Sequence, residues 1–332
     1  MFHAQDIGID LGTASILVYV KDRGIVMNEP SVVAVDTASQ KLLAVGEEAQ
    51  KMIGRNPSGI TVIRPLRDGV ISDYQSTELM IRYILDKVCA KSLFKPRVVV
   101  CIPCVVTEVE KKAVIDATTG AGARAAYLIE EPIAAAIGAG LGIARPSGSM
   151  VVDIGGGTSD IAVISLGSMV VHDSIKVAGD EFDQAIIRYI RKKHSIIIGE
   201  RSAEEVKKAV GCVYPKEKPN VTSVKGRSLL SGLPVVVNVS SEEMLEALDE
   251  AGSAIVDAVK GVLERTPPEL IGDISAKGVV LTGGGALING LDKRLSKETG
   301  LYVSIADDPI SCVARGTGKS LKSIGALKKS QR

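Results

Sequence analysis

The sequence predicts an α/β fold built from two related domains, each interrupted by a smaller subdomain, and three features predict it. The first is an internal repeat: Ile7-Gly-Ile-Asp-Leu-Gly-Thr-Ala-Ser15 and Val151-Val-Asp-Ile-Gly-Gly-Gly-Thr-Ser-Asp160 share an apolar strand, an acid, a glycine turn, hydroxyl residues and a second strand. The second is spacing, since Asp10 and Asp153 lie about one domain length apart. The third is the alternation of strand-like apolar runs with helical periodicity along the remaining chain. In each copy the glycines let backbone N–H groups approach a polyanion, and hydroxyls add donors, Thr158 and Ser159 in one, Thr13 and Ser15 in the other. Two such turns facing each other would hold one phosphate chain and its metal from opposite sides, in a cleft suited to hinge closure.

Composition narrows the function. A chain of 332 residues, 45% apolar and 24% charged, suits two globular domains. A net charge of +1 argues against wrapping nucleic acid, and 3% aromatic residues with no Trp leave no base-stacking platform. The runs Val98 to Val106 and Pro132 to Ala144 fall short of the roughly 18 to 20 residues that span a bilayer. The N-terminus reaches Asp6 too soon for a signal peptide, so the expected location is cytoplasmic. An odd number of cysteines, five, agrees with a reducing compartment, and Cys101-Ile-Pro-Cys104, inside an apolar strand-like run, reads as two buried structural thiols.

In chain order, Gly24 to Asp36 reads as strands interrupted at Glu29-Pro30, Glu47 to Met52 as a short helix and Arg64 to Gly69 as a charged loop. Residues 30 to 72 therefore form one inserted subdomain. Leu79, Met80, Tyr83, Ile84 and Val88 recur at helical spacing and predict a helix from Ser76 to Ala90. The strand Val98 to Ile102 precedes a helix capped by Thr107, with Glu110 at the capping-box position. Leu128 to Ile137 reads as a strand end and a helix, with Pro132 in its first turn and Ala134 to Ala136 small enough to pack closely on a sheet. Ile161 to Leu166 and Met169 to Ser174 predict a hairpin, and Ala178-Gly-Asp180 leads into a helix to about His194. Ser202 is expected to cap a further helix, with Glu205 completing its capping box. Strands near Val221 to Val224 and Val235 to Val239 complete a second insertion, about 179 to 252, before a long helix from Ser240 to Leu263. Gly278 to Leu287 is a third glycine turn, placing backbone against the base or sugar of a nucleotide and leading to a helix from about Asn289. Thr299 to Ile305 then reads as a strand and Pro309 to Ala326 as the last helix, and no His and Cys spacing resembles a metal site.

Two segments admit two readings each. Glu130 and Glu131 suit a helix N-terminus as dipole-favoured acids, and equally suit a carboxylate that orients a water at a terminal phosphate. Leu93 and Phe94, between Lys91 and Lys95, either tuck under their loop or form a membrane-touching tip. One such tip binds weakly after association costs, and many on one assembly bind firmly.

Taken together, Asp10-Leu-Gly-Thr-Ala, Asn28-Glu-Pro-Ser31, Arg64-Pro-Leu-Arg-Asp-Gly-Val70, Ile129-Glu-Glu-Pro-Ile-Ala-Ala-Ala-Ile-Gly138, Asp153-Ile-Gly-Gly-Gly-Thr158, Ala178-Gly-Asp180, Thr266-Pro-Pro-Glu-Leu270 and Leu281-Thr-Gly-Gly-Gly-Ala286 resemble the actin, heat-shock chaperone and sugar kinase superfamily, and within it the MreB-type bacterial actins. The resemblance implies an actin-like ATPase fold of two ribonuclease-H-like domains with ATP or ADP and Mg2+ in the cleft between them. Domain I would span 1–145, with its insertion at about 30–72 and a C-terminal helix, about 310–332, packed back on it. Domain II would span 146–309, with its insertion at about 179–252. Thr13, Ala14 and Ser15 would grip phosphates with Gly155, Gly156, Gly157 and Thr158, while Asp10 and Asp153 hold the metal mostly through water. Glu204, Glu205, Val206 and Lys207, with Gly284, Gly285, Ala286 and Leu287, would surround ribose and adenine. Glu131 falls where the family orients the attacking water, with Thr158 assisting, and Leu93-Phe94 matches a hydrophobic membrane loop. The implied function is a slow ATPase whose homopolymer filaments lie on the inner face of the cytoplasmic membrane and direct cell-wall elongation proteins, maintaining rod shape. The alternative is a non-filament ATPase of the superfamily, chaperone-like or a small-molecule kinase. Ser159-Asp160 in place of the usual Thr-Glu, and Ser15 in place of Asn, depart from the family pattern.

Overall fold

The first repeat folds as a hairpin, β1 (Asp6–Leu11) antiparallel to β2 (Ser15–Val20), and β3 (Gly24–Pro30) adds antiparallel beyond β2. In this computed structural model, which describes residues 6–90 and 94–323, these strands belong to one of two compact units. That unit comprises the chain up to Arg145, with Leu166–Met169 and the segment from Ile310 onward. After β3 the chain forms a small sheet ordered β5-β4-β6 from β4 (Val33–Asp36), β5 (Leu42–Val45) and β6 (Ile60–Ile63), with helix α1 (Glu47–Gln50) between the last two. Val32, Ala34, Ala44 and Ala49 give that insertion its own core.

The expected charged loop at Arg64 to Gly69 is instead a two-stranded ribbon, β7 (Leu66–Arg67) and β8 (Val70–Ile71). Asp68 and Gly69 both take positive φ, 51° and 76°, the geometry that an Asp-Gly hairpin turn requires. α2 (Tyr74–Cys89) starts earlier than expected because Asp73 caps it, accepting from the Ser76 N–H at 2.7 Å. β9 (Arg97–Ile102), α3 (Glu108–Gly120) and β10 (Ala125–Glu130) follow, and the Thr107–Glu110 capping box is formed as expected. β9 pairs parallel with β1 and β10 with β9, giving a five-stranded sheet ordered β10-β9-β1-β2-β3. α4 (Glu131–Gly138) begins directly where β10 ends.

The second unit, Pro146–Ser165 with Val170–Pro309, repeats the pattern. Its sheet uses β11 (Ser149–Ile154), β12 (Ser159–Ser165) and β13 (Ser168–Ile175), followed after the insertion by β17 (Val279–Thr282) and β18 (Val303–Ile305), in the order β13-β12-β11-β17-β18. Both sheets thus read third, second, first, fourth, fifth, with an antiparallel first hairpin and parallel later strands. The sequence repeat is therefore a structural repeat, each acid standing one residue before the end of its sheet's first strand.

Between β13 and β17 run α5 (Gly179–His194), β14 (Ile196–Ile197), α6 (Glu200–Val210), β15 (Val221–Ser228), β16 (Pro234–Ser240), α7 (Ser241–Ala247), α8 (Asp249–Glu264) and α9 (Pro268–Lys277). Ser202 is not a cap: α6 starts at Glu200 behind Gly199, so Ser202 and Glu205 lie within it. The long helix expected from Ser240 is two, broken at Leu248, which is buried and leaves helical geometry at ψ 2°. Ser240 and Glu243 form the capping box of α7. Pro267-Pro268 ends one helix and starts the next, since proline suits a helix's first turn. α10 (Leu291–Thr299) lies between β17 and β18, extending over Thr299, where a strand was expected to begin. α11 (Cys312–Ser320) is followed by a 3-10 turn over Leu321–Ser323, and the expected helical residues 324–326 lie outside the described residues.

Ala134, Ala135 and Ala136 are fully buried on α4, which meets β9 and β10 of the sheet as expected and packs most extensively on α11. A Cβ on Gly316 would stand 1.7 Å from the Ala134 carbonyl oxygen, and one on Gly138 would stand 1.8 Å from that of Cys312. The two helices therefore meet backbone to backbone, and α11 fixes where α4 lies.

Candidate functional site: two acid and glycine turns

In the first unit, Asp10 is half-buried, one residue from the end of β1, the central strand of its sheet. The Cys101 thiol on neighbouring β9 donates to Asp10 Oδ1 at 3.2 Å. Burial pushes the Asp10 carboxyl up to about 6, against the lowering effect of that hydrogen bond. Cys101 is the buried structural thiol expected, although it touches the candidate metal acid; Cys104 is only partly buried. Glu131, the first residue of α4, is 8% exposed. Burial, then Asp10 and then Glu131 raise the Cys101 thiol well above its ordinary value, so both acids act on one place.

The β1–β2 turn is held from outside itself. Gly12 donates to the Ser15 carbonyl at 3.2 Å, Ser31 Oγ donates to the Gly12 carbonyl at 2.5 Å, and the Ser31 N–H donates to the Ala14 carbonyl at 3.1 Å. Thr13 Oγ1 accepts from the Gly69 N–H at 2.9 Å, which leaves its hydroxyl proton for another acceptor. Thr13 is buried, Ser15 half-buried and Ala14 exposed. Ser31 and Gly69, which rigidify this turn, carried no local signal of that role, because their partners are distant in sequence.

In the second unit, Asp153 is buried and its Oδ1 accepts from Thr282 Oγ1 on β17 at 2.6 Å. The turn closes by Gly155 N–H donating to the Thr158 carbonyl at 2.9 Å. It is joined to the start of α5, where Gly179 N–H donates to the Gly155 carbonyl at 3.1 Å and Asp180 N–H to that of Gly156 at 2.8 Å. Ser159, read as a hydroxyl donor for a ligand, is a correction: it is fully buried, and its Oγ donates to the Val177 carbonyl at 2.6 Å.

The 3-10 turn Gly284–Leu287 lies against the end of β11, since a Cβ at Gly283 would meet the Ile154 carbonyl oxygen at 2.2 Å. From α6, Lys207 Nζ reaches Gly179 O at 2.8 Å and Asp183 Oδ2 at 2.9 Å. Gly155, Lys207 and the 3-10 turn are therefore gathered around the end of β11. Glu205 instead points to Arg201, Glu204 pairs with Lys208, and the side chains of Val206 and Ala286 belong to the core. Val206 and Ala286 thus have only backbone to offer a ligand, while Leu287 is 54% exposed. Phe94 is 53% exposed, and Leu93 lies outside the described residues.

A phosphate fits the glycine turn. A Cβ on Gly155 would meet only the Thr158 carbonyl oxygen, at 3.4 Å, an ordinary contact, so protein packing does not demand glycine there. Among the described residues no three His, Cys, Asp or Glu side chains converge as a metal cage. Magnesium, which keeps several waters and uses one or two carboxylates with substrate phosphates, fits a turn that offers a single carboxylate, Asp10 or Asp153, as a hydrated ion.

The MreB/Mbl protein family model matches residues 4–329. The chain belongs to the MreB/Mbl family. Cell shape-determining protein Mbl of Bacillus cereus is 53% identical over 327 residues, covering 98% of both chains. Cell shape-determining protein MreB of Escherichia coli K12 is 50% identical, covering 97% of this chain and 94% of the relative. MreB5 of Spiroplasma citri bound to ADP superposes with a TM-score of 0.93 at 39% identity and complete coverage of both chains. The same MreB5 is also solved bound to AMPPNP, again with a TM-score of 0.93. The MamK double helical filament, at 22% identity and a TM-score of 0.83, shares the fold. The actin-like α/β fold expected from the motifs is the fold of this MreB/Mbl member. No helix among the described residues is long and apolar enough to cross a membrane.

Proposed function

We propose that the chain binds ATP with magnesium, hydrolyses it slowly and polymerises into filaments on the inner face of the cell membrane, maintaining rod shape by organising wall-synthesis proteins. The observation that carries this reading is the repeated acid and glycine turn on two sheets of one strand order, with Glu131 buried and acting, like Asp10, on the Cys101 thiol. Support comes from relatives named for determining cell shape and from solved MreB5 with ADP or AMPPNP. In this reading residues 1–145 with the C-terminal helix serve as domain I, and 146–309 serve as domain II.

Bound ATP supplies the γ-phosphoryl group, and magnesium, when bound, would neutralise charge on the phosphate oxygens. Thr13 to Ser15 and Gly155 to Thr158 present N–H and hydroxyl donors to phosphate oxygens. Asp10 and Asp153 would hold the metal when it is bound. Glu204, Lys207 and the backbone of Gly284 to Leu287 hold ribose and adenine. Glu131 accepts a hydrogen bond from the attacking water and Thr158 helps to place it. Hydrolysis then serves as a timer for filament life. The exposed Phe94, with Leu93, is the membrane contact in this reading.

Removing the Glu131 carboxylate is expected to slow phosphate release by about 10²-fold or more, the weight of a positioned acid–base group, while ATP-dependent pelleting persists. Glu131→Ala releasing phosphate at the wild-type rate ends the role given to Glu131, and absence of filaments from the wild-type chain with ATP ends the filament reading.

A further inference from the structure

Lys207 and Asp183 join α6 to α5, and the pair differs from its neighbours. Their side chains are 16% and 13% exposed, whereas Arg201–Glu205 and Lys208–Glu204 on the same helix are 69% and 66%, and 70% and 38% exposed. Pairs as exposed as Arg201–Glu205 contribute little to stability. An ammonium has three N–H donors. Asp183 Oδ2 and the Gly179 carbonyl engage two, which fixes the direction of the third.

Asp183 is held there at a cost. Its Oδ1 is buried with no hydrogen-bond partner, and burial pushes the carboxyl up to about 6 against the opposing effect of Lys207. A half-satisfied buried carboxylate is a poor way to tie two helices together, since an apolar contact does so without desolvating a charge. It is an effective way to place another charge. The second anchor, Gly179, is itself bonded through its N–H to the Gly155 carbonyl at 3.1 Å, so the ammonium is set relative to the phosphate turn.

We infer that Asp183 is a positioning residue for the nucleotide: it fixes the Lys207 ammonium against Gly179 so that the remaining N–H donor is presented to the sugar. This rests on the reading of the unit as an ATP site.

Calorimetric titration of the full chain with ADP, and separately with inorganic pyrophosphate, in magnesium buffer tests the assignment. Asp183→Asn is expected to weaken ADP about tenfold, the weight of one charge-assisted hydrogen bond, and to leave pyrophosphate affinity unchanged. If Asp183 acts through Lys207, the double variant with Lys207→Met binds ADP no more weakly than Lys207→Met alone. Unchanged ADP affinity in Asp183→Asn, equal losses for both ligands, or additive losses in the double variant would overturn the inference while the ATP reading stands. A wild-type chain that binds neither ligand overturns both. Should Asp183→Asn not fold, Lys207→Arg tests the same arrangement from the other side, since its planar fork replaces a compact ammonium. It too is expected to weaken ADP alone, and unchanged ADP affinity refutes the positioning.

Discussion

Replacing Asp10 by Asn should stabilise the protein when nucleotide and magnesium are removed. Burial raises this carboxyl from 3.8 to about 6. A rise of roughly two units, at about 1.4 kcal/mol each, is a penalty of about 3 kcal/mol for holding the charged form in the fold. The sign follows from proton binding: between pH 3.8 and about 6 the folded state holds more proton than the unfolded one. Stability therefore falls as pH rises through that window, and the full penalty persists above it. Asn removes the charge yet keeps an oxygen for the Cys101 thiol, which now donates at 3.2 Å. In EDTA at pH 8, Asp10→Asn is expected to be the more stable by up to about 3 kcal/mol, an advantage that shrinks toward pH 5. Amide exchange of β1 and β9 along a urea series reads this unit separately, which a whole-chain melt of two units does not. Magnesium-ATP should then reverse the order, because a ligand that binds only the native site stabilises the wild type. Equal stability at pH 8 in EDTA, or an advantage that does not change with pH, would refute the reasoning.

Two other changes test the frame and the surface. Gly316→Ala places a methyl group where the Ala134 carbonyl oxygen lies 1.7 Å away, so α4 and α11 must separate. A loss of about 1–3 kcal/mol in urea is expected, with slowed phosphate release as Glu131 shifts, and wild-type stability would show that the crossing has slack. Replacing Leu93 and Phe94 by Ser is expected to abolish co-sedimentation with anionic liposomes while ATP-dependent pelleting persists; undiminished co-sedimentation would move the membrane contact to another segment.

What was legible in the sequence was whatever is written locally. The Thr107–Glu110 capping box, the strand, acid and glycine repeat, and the helical spacing of α2 all depend on neighbours within a few residues, and all formed. Asp68-Gly69 was equally local, and its charged surroundings disguised a hairpin signal. The partners of the site residues were not legible. Ser31, Gly69, Cys101, Thr282 and Asp183 each meet their target through strand order or helix crossing. Small residues at 134–136 announced a close approach to the sheet but not the crossing with α11, because only the tertiary fold sets α11 against α4.

Ser159 shows how a departure from a family pattern is to be weighed. In sequence alone, Ser159-Asp160 in place of the usual Thr-Glu reads as a change to the phosphate turn itself. In the fold, Ser159 pairs with Ile154 across the hairpin, its side chain is fully buried, and its hydroxyl donates to the Val177 carbonyl one residue before the α5 cap, Ala178. The Ser159 hydroxyl is therefore used within the protein. It acts on the connection between β12 and the start of α5, the helix whose first N–H groups hold Gly155 and Gly156 in place. Any effect of Ser159 on ATP turnover must therefore pass through the placement of that helix, the same helix that carries Asp183.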